Sequence, residues 1–302
     1  MMGMRGRKRV SALWAFVIQA VFISWAGWLP GLILGPARGY TPLTVASLLA
    51  GGHAFLDGTH IAVAVLFVLG SYGPLLSGLG IAGRLGGTEG VRTLLGRVIH
   101  WRLPLGWYGI VLALPLLIAL PAVAVARMAG VAPATPSIPS SGWLIPVIFV
   151  FQLLTMSTAE FGWRGTALAL AQRRYTAEQA SYIVGVLWAV WMLPYLAALY
   201  IGQDIGPTLP LLLIGWGIYL IGASVVHTWL YNNTASLGLC MLYSAASMTV
   251  WAVAIGFMGW QPLPQLVLGI TSWLVALMLL RRYGAARLVR DGEPEAPGRT
   301  LR

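Results

Sequence analysis

The sequence predicts an all-α fold: a polytopic membrane bundle of about eight transmembrane helices with both termini on the cytoplasmic side. Three observations carry that expectation. Apolar residues fill 58% of the 302 positions and charged residues only 9%, with a mean hydropathy of +0.80; soluble domains carry about a quarter charged residues. The apolar residues gather into runs close to the roughly 20 residues that cross a bilayer as a helix. Finally, 17 of the 19 lysines and arginines fall in connections that would share one side of the membrane, the bias expected of cytoplasmic loops.

Each run has its own justification. The first, 11–35, follows the basic stretch MMGMRGRKRV. It is longer than the roughly 7–15 residues of a cleavable signal core, so it reads as a retained span. The second, 61–83, ends at a loop holding Arg84, Arg92, Arg97 and Arg102, and the third is 105–129. The connection GVAPATPSIPSSG (130–142) is rich in Pro and Ser and should be irregular. The fourth run, 142–160, is followed by Arg164, Arg173 and Arg174. The fifth and sixth, 177–200 and 207–231, are separated by GQDIGPT (202–208), and YNNTAS (231–236) leads into the seventh, 236–258. The eighth, 262–281, precedes a polar tail ending DGEPEAPGRTLR. All must be helical, because lipid offers the backbone no partner and no alternating barrel pattern occurs.

The chain therefore divides into a basic N-terminus (1–10), one transmembrane bundle (11–281) and a disordered cytoplasmic tail (282–302). A multi-pass protein of the cell membrane follows, with the lipid bilayer as its first partner. The formal charge of +11 does not gather into a groove-sized patch, so no nucleic-acid partner is expected. Trp101, Trp107, Trp143, Trp229 and Trp260 lie near run ends, where an aromatic belt belongs. No internal repeat of the kind common in transporters is present. Cys240 is the one cysteine, which rules out an intrachain disulfide and any zinc-finger spacing.

Of eight acidic residues, seven fall in loops or the tail. Glu160 is the exception, and Arg164 follows one helical turn later in STAEFGWRG (157–165). An ionisable residue at membrane depth is a functional candidate. Its simplest role is a clasp, an ion pair that locks the end of the fourth span. His227 should lie at a similar depth, with Asn232 or Asn233 as further polar groups, or simply bond a neighbouring helix. His53, His60 and His100 lie in or beside loops on differing faces, so they form no ligand cluster. Ser244 and Ser247 have no general base nearby in sequence, which argues against a serine nucleophile.

At these residues the chain resembles a known family. AEFGWRG (159–165) is similar to the EEFGWRG signature of the CPBP family, the CAAX-protease and bacteriocin-processing (Abi) intramembrane metalloproteases. SYGPLLSGLGIAG (71–83) and GVRTLLGRVIHWRLPLGWYGIVLALP (90–115) resemble its Gly-Pro span, basic loop and next span. VGVLWAVWMLPYL (184–196) resembles its Trp-His-Leu-Pro motif, and HTWLYNNT (227–234) its frequent His-Thr-Trp-Leu-Tyr-Asn-Arg-Thr stretch. The family-like core covers about 142–258. The resemblance implies a Glu that activates a metal-bound water, two His that hold the metal and an Asn that steadies the oxyanion. Carried over position by position, the leading Glu falls on Ala159 and the second motif's His on Met192. The last His and Asn fall on Ser244 and Met248, taking one residue as deleted after Thr234. Glu160 and Arg164 alone are retained.

Alanine has no ligand atom, and methionine's thioether suits Cu(I) rather than zinc. The expectation is a non-catalytic or weakly active family member, with no metal site and no cofactor, that binds a membrane-anchored peptide or protein. One alternative is an active metal-dependent endopeptidase of CAAX type, with Glu160 as base, His227 as a relocated ligand and a divalent metal such as zinc. The other is a transporter, which the near absence of further polar residues in the spans opposes.

Overall fold

The structure is a computed structural model that describes residues 2–40, 57–134, 142–200 and 206–289. It is an all-α bundle. Helix α1 (Met2–Arg38) is followed by α2 (Gly58–Gly70) and α3 (Gly73–Gly96), then α4 (Leu105–Met128) and a broken α5 (Leu144–Ala171). The remaining helices are α6 (Ala177–Leu199), α7 (Leu209–Thr234), α8 (Leu237–Met258) and α9 (Pro262–Tyr283). Among the described residues, seven helices are long and apolar enough to cross a bilayer, and α2 with α3 makes an eighth if counted as one bent span. The protein is a multi-pass membrane protein.

The second span is not straight. Pro74 lacks an amide hydrogen, and α2 and α3 meet at 46° across Ser71 and Tyr72. Asp57 caps the start of α2, its carboxylate accepting from the His60 amide at 2.8 Å and the Tyr40 hydroxyl at 2.7 Å. Helix α3 breaks again at Gly87, whose φ of 61° and ψ of −149° suit only glycine. The chain then folds back, so that a Cβ at Gly90 would lie 2.4 Å from the Ala82 carbonyl.

The fourth span differs most from expectation. It continues to Ala171 rather than stopping near 160, so Arg164 is an interior residue and not part of a cytoplasmic loop. The helix tightens to a 3-10 turn over Met156–Ala159 and widens to a π-turn over Trp163–Leu168. Hydroxyls accompany the tightening. Thr155 Oγ1 donates to the Phe151 carbonyl at 2.7 Å and Thr158 Oγ1 to the Thr155 carbonyl at 2.6 Å, each sharing its acceptor with the same residue's amide. Missing side chains at Gly162 and Gly165 then let α1, α3 and α8 close around the segment. A Cβ at Gly162 would lie 2.4 Å from the Pro74 carbonyl, and one at Gly165 would lie 2.5 Å from Leu94 Cδ1.

Two further expectations are corrected. Trp107 and Trp229 pair inside the bundle, ring centres 5.0 Å apart, and both are buried. Trp143 is 65% exposed and does suit a belt. The segment after α9, counted with the tail, is docked through Leu288. The Ala285 and Ala286 carbonyls accept from the Glu178 and Ala177 amides, while Asn232 and Asn233 donate to the Arg287 and Leu288 carbonyls at 2.8 Å each. Residues 290–302 lie outside the described residues.

Candidate functional site

The broken middle of α5 delivers Glu160 to a point where α7 and α8 converge. The carboxylate is 1% exposed. Its Oε2 is 3.1 Å from Arg164 Nε, yet neither atom finds an aligned hydrogen bond, so the attraction is Coulombic contact across the π-turn. Its Oε1 accepts from Ser244 Oγ at 2.8 Å and lies 3.6 Å from His227 Nε2. Arg164 also donates through Nη1 to Ser224 Oγ at 3.2 Å, and its guanidinium lies 5.0 Å from the centre of the Trp188 ring. Five side chains from three helices therefore form one buried polar network.

His227 is held at both nitrogens. Nδ1 lies 2.8 Å from the Ala223 carbonyl, which can only accept, so in the neutral ring Nδ1 carries the hydrogen and Nε2 is an acceptor. Nε2 is 3.1 Å from Ser244 Oγ. This overturns the expectation that Ser244 has no base within reach: the nucleophile-to-base distance and the carbonyl that orients the base are both present. The one hydroxyl proton has two acceptors, and the carboxylate is the nearer. Helix pairing, invisible in sequence spacing, produces this contact.

The network is buried and bordered by aromatic rings. Trp188 and Tyr243 stand edge-on to His227 with ring centres at 5.2 and 4.8 Å. Ser244 is 7% exposed. Ala159 and Met192 are buried with no polar atom to offer, and Met248 is half-buried against the core. Asn232 and Asn233, held open as further site groups, instead anchor the segment after α9. His60 stacks on Tyr40 beside Asp57, His100 is exposed, and His53 lies outside the described residues. Ser224 escaped the sequence reading, although its place one turn before His227 on α7 was a usable signal.

The donors present do not fit a zinc or similar divalent site. Among the described residues no three His, Cys, Asp or Glu side chains converge. Glu160 and His227 Nε2 supply two ligands, and the Nδ1 contact is the kind a metal-bound histidine makes. Catalytic zinc takes three protein ligands, and the remaining positions hold Ala159, Met192 and a serine hydroxyl. Arg164 already occupies the second carboxylate oxygen.

Comparison with known proteins finds similarity over the segment that holds this network. The family model described as Type II CAAX prenyl endopeptidase Rce1-like matches residues 141–250, which hold α5 to α7 and the first part of α8. A protein named CAAX prenyl protease 2, from Methanococcus maripaludis, is 40% identical over 50 residues. That alignment spans 17% of this chain and 18% of the relative. Over that segment the chain is similar to the CPBP, or CAAX-protease, family of membrane proteins, and its all-α membrane bundle is in keeping with that similarity.

Proposed function

We propose that this protein is a non-catalytic CPBP-family member that binds a membrane-anchored peptide or protein partner. The observation that carries the reading is the composition of the buried network around Glu160. Ala159, Met192, Ser244 and Met248 occupy the positions where the family implies a Glu, two His and an Asn. Trp188 and Tyr243 fill the space against His227. Hydrolysis in a lipid-shielded site needs an activated water and a stabilised oxyanion, and neither has a provider here. The retained Gly162, Gly165 and Trp229 preserve packing rather than chemistry.

A second reading is favoured by one observation, the 3.1 Å approach of Ser244 Oγ to His227 Nε2 beside Glu160. It makes the protein a weak endopeptidase. Reconstitution with a membrane-anchored lipopeptide carrying a photo-crosslinker separates the two. The first reading expects light-dependent capture of intact peptide. Cleavage that disappears in His227→Ala protein would establish the second, and selective solute flux from the same liposomes would support a transporter.

A further inference from the structure

The fold-back of α3 creates a second feature, away from Glu160. Between residues 81–97 and the end of α5 lies a cavity of about 250 Å³. Ile81, Leu85 and Leu170 give it an apolar wall, and Arg97 and Arg173 are its two charged lining residues. None of its lining residues is acidic. Glu89, the one carboxylate in that stretch, points to Arg92 at 4.0 Å, with both side chains exposed. Arg97 is fixed in place by donating from Nη1 to the Tyr231 hydroxyl at 2.9 Å, which leaves its other donors available. Leu85 is 57% exposed, so the apolar wall continues to the surface.

We propose that this cleft binds an anionic phospholipid, its phosphate held by Arg97 and Arg173 and the start of an acyl chain laid along Ile81, Leu85 and Leu170. Two features point to a lipid rather than a free anion. The cations share the cleft with an apolar wall that a small ion would not use. They also lie with Arg84, Arg92, Arg102 and Arg174 at the ends of the second and fourth spans, which the basic bias of the sequence assigns to the cytoplasmic side, where anionic headgroups are met. The cleft depends on glycine: Gly87 makes the reversal, and Gly86 and Gly90 line the space without filling it. This site is independent of whether the Glu160 network is catalytic.

The test is native mass spectrometry of the full chain in a nonionic detergent, with phosphatidylglycerol, phosphatidylcholine and inorganic phosphate offered separately. Retention of one phosphatidylglycerol in preference to phosphatidylcholine is expected. Arg97→Gln with Arg173→Gln should weaken that retention by about tenfold or more. Tyr231→Phe removes the anchor of Arg97 but keeps both cations, and should retain the lipid. Equal retention of the two lipids, indifference to loss of both arginines, or displacement of the lipid by inorganic phosphate would each overturn the proposal. So would an equal loss in Tyr231→Phe protein, which would make Arg97 a purely structural residue.

Discussion

At Glu160 a single carboxylate meets Arg164 from its own helix, His227 from α7 and Ser244 from α8. Burying two opposite charges costs each its hydration, so the pair is stable only while both are present. Glu160→Ala strands the guanidinium and should destabilise the protein by about 3–5 kcal/mol. Removing both charges with Glu160→Leu and Arg164→Met should cost clearly less than Glu160→Ala alone. Unfolding in detergent, followed by tryptophan fluorescence, measures both; equal losses would contradict the clasp. The Glu160–Arg164 contact was legible from spacing of four residues. The Ser244–His227 contact was not, because it depends on how α7 and α8 are rotated. Packing sets such rotations: a Cβ at Gly185 would lie 2.9 Å from Ile221 Cα and 3.0 Å from Ser224 Cβ, which seats α7 against α6 in one orientation.

At the scale of elements, α5 explains the glycines of its own motif. Gly162→Ala would drive a methyl group into the Pro74 carbonyl, where backbone must move. The expected loss is about 1–3 kcal/mol from overpacking. Gly80→Ala is the control, since nothing lies within 4 Å of its Cβ position; thermal unfolding should separate the two variants. The start of α2 gives a pH prediction. The His60 amide, then the Tyr40 hydroxyl, hold the Asp57 carboxyl below its ordinary value of 3.8. A depressed folded value means that the cap's contribution is complete above about pH 4 and is lost as pH falls through the folded value. Amide protection at the first turn of α2 should therefore fall below that pH in the wild-type chain and show no such step in Asp57→Asn protein. Span positions were readable from hydropathy because bilayer thickness imposes them. The breaks in α3 and α5 were not, because the backbone geometry at Gly87 and the local hydroxyl bonds of Thr155 and Thr158 that accompany them leave hydropathy unchanged.

At the scale of the whole molecule, the eight-span order sets residues 88 and 174 on one side of the membrane and residues 129 and 261 on the other. Single cysteines at Thr88, Arg174, Ala129 and Gln261 test this, because the native Cys240 is buried and should not react. Impermeant maleimide applied to intact cells should label Ala129→Cys and Gln261→Cys, and reach the other two only after lysis. The docked segment after α9 fits that order, since it joins the ends of α6 and α7 that the topology places together. The central claim of the proposal is that a Glu160–Arg164 clasp stands where the family resemblance implies a metal-binding, water-activating set. Equilibrium dialysis of the purified full chain against zinc tests it most directly. The account predicts zinc at the background level, unchanged by Glu160→Ala; one tightly held equivalent that is lost when Glu160 or His227 is replaced by alanine would contradict it.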